Sequence, residues 1–508
     1  MTSPYAGNTL ASALRAPSAG DDARRFAEQA GREPMSYGAL WEGAEKMAAA
    51  LVAAGVKPGD RVAVQTEKSL EAVQLYLGAV LAGAAFLPLN TAYVPAEIEY
   101  FLTDAEPAVF VCDPARLEAL APLAQKAGAT AMTLDIDGRG TMAEAAAAQA
   151  PGFQAAAREA GDLACILYTS GTTGRSKGAM LTHGNLLSNA QTLRDYWKFT
   201  AQDRLIHALP IFHAHGLYVA LNVTLVAGGS LIFMPAFKAE AVLEAMPKAT
   251  ALMGVPTFYT RLLELPGLAE AAKDMRLFVS GSAPMLTDTH EKWRAVTGQT
   301  ILERYGMTET SMNCSNPYDG ERRPGTVGFP LPGVEVKVTH PETGEELPAG
   351  ETGNLEVRGP NVFLGYWRMP EKTEEEKRAD GFFITGDLAQ ISDDGYVTIV
   401  GRAKDLVITG GYNVYPKEIE GLIDDLPGVK ESAVIGLPHP DFGEGVAAVV
   451  VPEAPGAVDE AAVKAALADR VAKYKQPKAV FIVDELPRNT MGKVQKNVLR
   501  DAYKSTFG

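Results

Sequence analysis

The segment Tyr168-Thr-Ser-Gly-Thr-Thr-Gly-Arg-Ser-Lys-Gly178 constrains this chain more than any other part of it. Its eleven residues contain three glycines, five aliphatic hydroxyls, one arginine and one lysine, and the apolar run 164–168 leads into it. Such a run predicts a buried strand. Glycines let the backbone approach an anion and direct N–H groups at it. The segment therefore predicts a polyphosphate-binding loop, although Gly/Ser clusters also serve as plain linkers. It is not a Walker A loop, because the chain has no G-x-x-x-x-G-K-[ST].

Composition narrows the class of protein and its partners. A length of 508 residues predicts more than one domain, and 47% hydrophobic with 21% charged residues is typical of a globular protein. The net charge of −15 disfavours general binding to nucleic acid or to anionic membranes. Cys112, Cys165 and Cys314 are far apart and have no metal-ligand spacing. With no signal-peptide pattern and no membrane-length apolar run, we expect a cytoplasmic protein that acts on small molecules.

Helical and strand-like segments alternate along most of the chain. Helices at 37–54 and 69–82 alternate with strands at 61–65 and 84–89, which predicts α/β layers. From about 326 to 400 the pattern changes to short strands separated by Gly, Pro and Asp turns. This predicts a β-rich subdomain.

A second unit begins near residue 403. Its pattern restarts with helices at 415–425 and 459–472 and with strands at 429–436, 446–451 and 479–483. The whole chain is therefore predicted to be α/β, with a large N-terminal domain, 1–402, and a small mobile α+β domain, 403–508.

Six further motifs accompany the first loop in a fixed order: Val279-Ser-Gly-Ser-Ala-Pro-Met285, Glu303-Arg-Tyr-Gly-Met-Thr-Glu309, Ile384-Thr-Gly-Asp387, Gly401-Arg-Ala-Lys-Asp405, Gly410-Gly-Tyr-Asn-Val-Tyr-Pro416 and Pro487-Arg-Asn-Thr-Met-Gly-Lys493. Together they resemble the adenylate-forming superfamily of acyl-CoA synthetases, luciferases and amino-acid adenylation domains. The resemblance extends from about residue 30 to the C-terminus. It implies that a carboxylate attacks the α-phosphorus of ATP, with Mg²⁺ present, and that the thiol of CoA then displaces AMP. Such chemistry requires neutralised phosphate charge, an aligned carboxylate and exclusion of water.

The resemblance also implies a nucleotide site. The loop with Lys177 would hold the β- and γ-phosphates, Thr308 the α-phosphate, and Glu309 the Mg²⁺. Asp387 would accept the ribose hydroxyls, with Arg402 beside it, while Tyr305 stacks on adenine. The full set is Thr169, Ser170, Gly171, Thr172, Thr173, Gly174, Lys177, Ser282, Ala283, Pro284, Glu303, Tyr305, Gly306, Met307, Asp387 and Arg402. On the residues alone, the alternatives are a strand-end turn at 280–284 and a solvated surface acid at Glu309.

By the same resemblance, the small domain would rotate about Lys404 between the two half-reactions. Lys493 would act in adenylation and then leave, and Gly410, Gly411 and Tyr412 would form the passage for the CoA thiol. Lys475 would meet CoA phosphates, although a solvated helix end explains it equally well. A lysine acyltransferase that modified Lys493 would regulate the enzyme.

The acyl pocket is assigned to Arg304, Arg261, Ser282 and His213, with His213 also placed in the catalytic set. Burying a guanidinium without a partner costs several kcal/mol, and a carboxylate is its best bidentate partner. The segment around Arg304 resembles that of malonyl-CoA synthetases, which implies malonate, with methylmalonate as a second acid. Pairing of Arg304 with Glu303 is the structural alternative, and Arg261 is equally a helix-surface cation.

Three other functions remain open from the sequence. One is a short- or medium-chain monocarboxylate–CoA ligase, against which Arg304 argues. Another is an adenylating enzyme that loads a carrier protein. The third is a binding protein without catalysis, which the presence of Lys177, Glu309 and Lys493 opposes.

Overall fold

The computed structural model describes residues 4–169, 176–409, 412–468, 470–471, 473–489 and 492–508, with only the backbone at 413. The β-strands are β1 Arg25–Glu28, β2 Met35–Ser36, β3 Arg61–Gln65, β4 Ala85–Pro88, β5 Val109–Cys112, β6 Thr130–Thr133, β7 Leu163–Thr169, β8 Lys177–Thr182, β9 Arg204–His207, β10 Ser230–Phe233, β11 Ala251–Gly254, β12 Leu277–Ser280, β13 Leu302–Met307, β14 Ser311–Ser315, β15 Phe329–Pro330, β16 Glu335–Thr339, β17 Gly353–Arg358, β18 Gly365–Tyr366, β19 Phe383–Ile391, β20 Val397–Arg402, β21 Val407–Thr409, β22 Tyr412–Val414, β23 Val429–His439, β24 Gly443–Pro452 and β25 Ala479–Ile482.

The α-helices are α1 Thr9–Arg15, α2 Tyr37–Ala53, α3 Leu70–Leu81, α4 Pro95–Ala105, α5 Leu117–Lys126, α6 Thr141–Ala147, α7 His183–Tyr196, α8 Asn222–Ala227, α9 Ala239–Ala245, α10 Pro256–Leu263, α11 Leu268–Ala272, α12 Thr287–Thr297, α13 Pro370–Glu375, α14 Pro416–Asp424, α15 Glu460–Leu467 and α16 Lys496–Tyr503. A π-helical stretch, His215–Leu221, precedes α8. No helix within the described ranges combines the length and apolarity that a membrane span needs.

Two large, mostly parallel sheets form the N-terminal part of the described chain. One runs in the order β15-β14-β13-β12-β11-β9-β10-β1-β2, and the other in the order β18-β8-β7-β4-β3-β5-β6. Both centres are apolar and buried, as parallel strands covered by helices on both faces must be. Side-chain caps start the covering helices: Ser36 accepts from the N–H of Ala39, and Ser69 accepts from that of Ala72.

The predicted β-rich subdomain is a small sheet of β16, β17, β19 and β20. One short strand from this region, β18, leaves it and pairs antiparallel with β8 of a large sheet, with Tyr366 opposite Ala179. The interruption between β17 and β19 thereby brings Tyr366 to the start of β8.

The last hundred residues form a separate sheet, β22-β21-β24-β23, to which β25 adds in parallel beside β24. Helices α14 and α15 cover one face, and their apolar side chains pack with Val407, Val446 and Val450. The predicted fold class, α/β with a small α+β unit, is thus confirmed.

One predicted helix is too long. The pattern predicts 459–472, but α15 ends at Leu467. The amide of Gln476 donates to the carbonyls of Ala468 (3.0 Å) and Val471 (3.1 Å), so a side chain satisfies carbonyls near the helix end.

Candidate active site

Strands β7 and β8 form the hairpin that carries the phosphate-type loop. Thr169 lies opposite Lys177 in the antiparallel register, and its hydroxyl donates to the Lys177 carbonyl at 3.4 Å. Ser170, Gly171, Thr172, Thr173 and Gly174 lie outside the described residues, as do Gly410 and Gly411. The structure therefore places the two ends of the loop, of which Lys177 is one.

Lys177 belongs to a compact charged cluster. Its Nζ lies 3.0 Å from Glu376 Oε1 and 4.0 Å from the centre of the Tyr366 ring. The Tyr366 hydroxyl contacts Glu376 Oε2 at 2.7 Å and Glu309 Oε1 at 3.0 Å. Lys177 and Glu309, predicted from separate motifs, thus meet across one tyrosine.

Glu309 is buried, and this burial raises its pKa despite the hydrogen bond from Tyr366 and the positive charge of Lys177. It forms no ion pair within the described ranges. A buried, incompletely compensated carboxylate fits a divalent cation, which favours carboxylate and water oxygens. The predicted magnesium residue therefore has suitable surroundings.

Asp387, Tyr305 and Arg402 form a second cluster. Arg402 Nε lies 2.7 Å from Asp387 Oδ1, and the Tyr305 hydroxyl donates to Asp387 Oδ2. Strands β19 and β20 fix this geometry because Asp387 is paired with Arg402 in their register. Burial opposes the charge of Arg402, but Asp387 and Tyr305 outweigh it, and its pKa is raised. The cluster offers charged and hydroxyl groups suited to a sugar.

The segments after β12 and β13 bend sharply. Ser282 has a positive φ of 69°, which is uncommon for a residue with a side chain, and Ala283 and Pro284 continue the turn. At Gly306 a Cβ would lie 1.8 Å from the Ser311 carbonyl oxygen, so only glycine fits. Met307 ends β13 and Thr308 begins the turn before β14, and both are half-buried.

Arg304, on β13, is a buried and incompletely compensated charge. It is 4% exposed, and its Nε and Nη2 atoms have no hydrogen-bond partner among the described residues. Burial lowers its pKa to about 9. The alternative partner, Glu303, instead contacts His290 Nδ1 at 3.0 Å and accepts from the Gly325 N–H at 3.1 Å. The alternative considered from the sequence, an ion pair between Glu303 and Arg304, is absent from the described structure.

Two histidines lie near Arg304. His213 Nδ1 accepts from the His215 N–H, and His215 Nδ1 shares a 3.2 Å hydrogen bond with Ser282 Oγ. Burial, with the charges of Lys493 and Arg304, lowers the pKa of His213 to about 3, and burial near Arg304 lowers that of His215. Both rings are neutral at pH 7, so Arg304 supplies the positive charge.

Lys493 extends from the small domain toward these groups. A Cβ on the preceding Gly492 would lie 3.5 Å from Thr257 Oγ1, at the start of α10. Part of the Lys493 side chain is accessible to solvent, while protein groups, among them Arg402 and Asp387, surround its ammonium. Desolvation by these surroundings, followed by repulsion from Arg402, lowers the pKa of Lys493 to about 8.

The structure also describes four other predicted residues, Arg261, Lys475, Tyr412 and Lys404. Arg261 is exposed in the last turn of α10, in agreement with a helix-surface cation. Lys475 makes two contacts with Glu418, at 2.7 and 2.8 Å, and exposed Tyr412 stacks on Tyr474 at 4.7 Å. Lys404 is exposed in the 3₁₀ turn Ala403–Asp405.

Sequence reasoning missed Tyr366 and Glu376, which lie in a stretch without any phosphate-type motif. It also missed Lys68, whose buried Nζ contacts His207 Nδ1 and the carbonyls of His207 and Met234 at 2.7–2.8 Å. His207 Nε2 in turn contacts the Gly216 carbonyl at 2.9 Å. No local pattern distinguishes these residues from ordinary polar ones, because only folding brings them together.

Comparison with known proteins identifies the family. The model of the AMP-binding enzyme family matches residues 16–367, and that of the AMP-binding enzyme C-terminal domain matches 418–493. ATP-bound MatB from Rhodopseudomonas palustris is 60% identical, with a TM-score of 0.97 over 99% of this chain and 100% of that one. The apo crystal structure of the same protein gives a TM-score of 0.85 at equal coverage.

Curated relatives differ in their acids. The malonate–CoA ligase of Arabidopsis thaliana is 34% identical over 89% of this chain and 79% of its own length. A feruloyl-CoA synthase of Amycolatopsis sp. is 36% identical over 93% of this chain and 95% of its own. The resemblance drawn from the seven sequence motifs is confirmed: this chain belongs to the AMP-binding enzymes, in both its main and its C-terminal domain.

Proposed function

We propose that the protein is an ATP-dependent malonate–CoA ligase, which forms malonyl-CoA, AMP and pyrophosphate through a malonyl-adenylate. The observation that carries the choice of acid is buried Arg304, whose Nε and Nη2 lack partners in the described structure. A cation in this state is costly unless an anion completes it. The second carboxylate of malonate would do so with bidentate geometry.

The relatives support this choice only in combination with the site. Relatives at 34% and 36% identity are named for malonate and for ferulate respectively, so identity at that level does not select the acid. The 60% identical relative was solved with ATP bound. It supports the nucleotide assignment, and Arg304 supports the dicarboxylate.

The proposed adenylation step requires no protein base, because a carboxylate is already ionised at neutral pH. Arg304 would hold the distal carboxylate and leave the other free to attack the α-phosphorus of ATP. Lys493 and Thr308 would stabilise charge that develops on the α-phosphate, and Lys177 would hold the departing pyrophosphate. Glu309 would hold Mg²⁺, which neutralises phosphate charge when bound.

The second half-reaction is assigned to a rotation of residues 403–508 about Lys404. Rotation would withdraw Lys493 and bring 410–412 to the adenylate, where the CoA thiol attacks the acyl carbon and AMP leaves. Tyr412 belongs to the proposed CoA passage. Lys475 is a poorer candidate for binding CoA phosphates, because Glu418 already neutralises its charge. A lysine acyltransferase acting on exposed Lys493 would stop adenylation by removing its charge. The three buried free cysteines suit a cytoplasmic enzyme.

The first test is pyrophosphate release by the purified enzyme with ATP, Mg²⁺ and CoA. The acids are acetate, butyrate, octanoate, benzoate, ferulate, oxalate, malonate, methylmalonate and succinate. We expect malonate to give the highest kcat/KM, followed by methylmalonate, since one methyl group changes binding by only about 1–3 kcal/mol. A preference for a monocarboxylate would refute the assigned acid and leave the family unchanged.

The second test replaces Arg304, the residue proposed to anchor the second carboxylate of malonate. Arg304→Met should lower kcat/KM for malonate by roughly a thousandfold, because the loss of a buried charge partner costs about 3–5 kcal/mol. Butyrate should be used as well as before or better. The melting temperature should not fall, because the variant removes a buried uncompensated cation. Equal losses on malonate and butyrate would contradict the anchor.

A further inference from the structure

Glu376 is the acidic residue beside the phosphate-type lysine, and the proposed mechanism gives it no task. It follows α13 directly, is largely shielded, and lies 3.0 Å from Lys177. Its other oxygen accepts from Tyr366 at 2.7 Å. Lys372 contacts it as well, at 3.2 Å. Both carboxylate oxygens are therefore engaged by groups at the entrance to β8.

We propose that Glu376 is a positioning residue for the β,γ-phosphates of ATP, acting through Lys177. This proposal rests on the proposed function, because it concerns the nucleotide used in that reaction. Glu376 fixes the Lys177 ammonium over the Tyr366 ring before nucleotide arrives. The ammonium has three N–H donors, so one can serve Glu376 while two stay available for phosphate oxygens.

Pre-positioning benefits binding because a free lysine side chain has high rotamer entropy. A residue already held by Glu376 and the Tyr366 ring has lost that freedom before ATP binds, so less is lost at binding. Lys177 is only 12% exposed, which agrees with a side chain confined to one direction.

Glu376 is one of three carboxylates around two ammonium groups. Lys177 and Lys372 lie 3.0 and 3.2 Å from Glu376, while Lys372 also pairs with Glu375 at 2.8 Å and Glu309 lies across Tyr366. These five ionisable side chains carry two positive and three negative charges, so the cluster as a whole does not attract phosphate. The attraction depends on the N–H donors of Lys177 that Glu376 leaves available.

Tyr366 links this arrangement to the opposite side of the site. Its hydroxyl lies between Glu376 and Glu309, at 2.7 and 3.0 Å. Strand β18 holds Tyr366 there by pairing with β8, the strand that Lys177 begins. The same strand pairing therefore fixes both the lysine and the ring on which it rests.

The test compares nucleotides that differ only in their phosphates. Dissociation constants for AMP and ATP are measured by calorimetry for the wild type, Glu376→Ala and Glu375→Ala. Glu375 is the matched control because it precedes Glu376 and also pairs with Lys372 (2.8 Å), while it is 65% exposed. Glu376→Ala should weaken ATP by about tenfold and leave AMP unchanged. Glu375→Ala should change neither.

Four further measurements separate this role from others. Glu376→Gln, which keeps an oxygen for Lys177, should restore ATP binding to within about threefold. On a Lys177→Ala background, Glu376→Ala should have no further effect, because the two act together. The KM for ATP should rise in Glu376→Ala and that for malonate should not. The effect on ATP binding should persist in EDTA, since it passes through the lysine.

Several outcomes would overturn the role of Glu376. They are unchanged or tighter ATP binding in Glu376→Ala, equal weakening of AMP and ATP, additive loss with Lys177→Ala, or an effect confined to Mg²⁺-containing buffer. Should Glu376→Ala not fold, Glu376→Asp serves, because its shorter side chain draws the carboxylate away from Lys177 and should also weaken ATP. Failure of the wild type to bind ATP at all would refute the proposed function instead.

Discussion

At the scale of single residues, the site is defined by charges that lack full compensation. Arg304 has no partner for Nε or Nη2 within the described ranges, Glu309 has a raised pKa, and Lys493 has a pKa lowered to about 8. Perturbed ionisable groups of this kind concentrate where ligands complete them. In the assigned reaction, the missing partners are a carboxylate, a metal ion and a phosphate.

The pKa of Lys493 predicts a pH profile. The residue is charged below about pH 8 and neutral above it. If Lys493 acts in adenylation in its charged form, as proposed, kcat/KM for pyrophosphate release should be constant below this pH and fall above it. In Lys493→Arg the side chain stays charged, so kcat/KM should not fall above this pH, even if its value is lower than that of the wild type.

Separate assays of the two half-reactions test the role of Lys493 independently of pH. Lys493→Ala should abolish pyrophosphate release from malonate and ATP but still convert synthetic malonyl-AMP and CoA into malonyl-CoA. An equal loss in both assays would place Lys493 in a general structural role.

At the scale of elements, the register of two adjacent parallel strands fixes the space around Arg304. Ser280 at the end of β12 is paired with Glu303 on β13, so Gly281 lies beside Arg304. A Cβ at Gly281 would lie 2.4 Å from Arg304 Cζ. The guanidinium therefore occupies the space that a side chain at position 281 would fill.

Gly281→Ala should displace the guanidinium and raise the KM for malonate by about tenfold or more, with little change in the KM for ATP. Steady-state kinetics with each substrate varied tests this. Gly421→Ala is the control, because a Cβ there meets nothing within 4 Å on helix α14. A rise in both KM values for Gly281→Ala would mean that the whole turn had moved.

At the scale of the whole molecule, the small domain is placed so that Lys493 enters the cleft. The fold matches the ATP-bound form of its 60% identical relative at a TM-score of 0.97 and the apo form at 0.85. The fold is thus more similar to the ATP-bound form of that relative than to its apo form. Thioester formation requires another orientation if residues 403–508 rotate as proposed.

A cross-link should separate the two orientations. The double variant Thr257→Cys/Gly492→Cys introduces the two cysteines. A Cβ at residue 492 would lie 3.7 Å from Thr257 Cγ2, an atom at the position that a cysteine sulfur would occupy, so a disulfide is within reach. Because Cys112, Cys165 and Cys314 are buried, the new pair should react first. Oxidised enzyme should release pyrophosphate once and form no malonyl-CoA until it is reduced.

The single variant Thr257→Cys is the control for oxidation itself and should keep full turnover. Malonyl-CoA formation at the wild-type rate by the fully cross-linked enzyme would refute rotation of the small domain.

Local sequence patterns were enough to locate most of the elements that were predicted. The predicted strand 61–65 coincides with β3, and the predicted helix 37–54 with α2, Tyr37–Ala53. Apolar spacing and an N-cap serine are properties of neighbouring residues, so the sequence displays them directly. The predicted end of α15, at residue 472, was wrong. The side chain of Gln476, nine positions beyond Leu467, satisfies carbonyls near the actual end, and local spacing does not show that contact.

The layers, the motifs and the residue types of the site can be predicted from the sequence, because they depend on local spacing and on side-chain chemistry. Which charges meet depends on the folded chain. Lys177 and Glu376 are 199 positions apart yet lie within 3.0 Å, and Glu303 contacts His290 and leaves Arg304 unpaired. Such pairings depend on strand order and register, which join distant segments by long-range packing, and no local pattern records them.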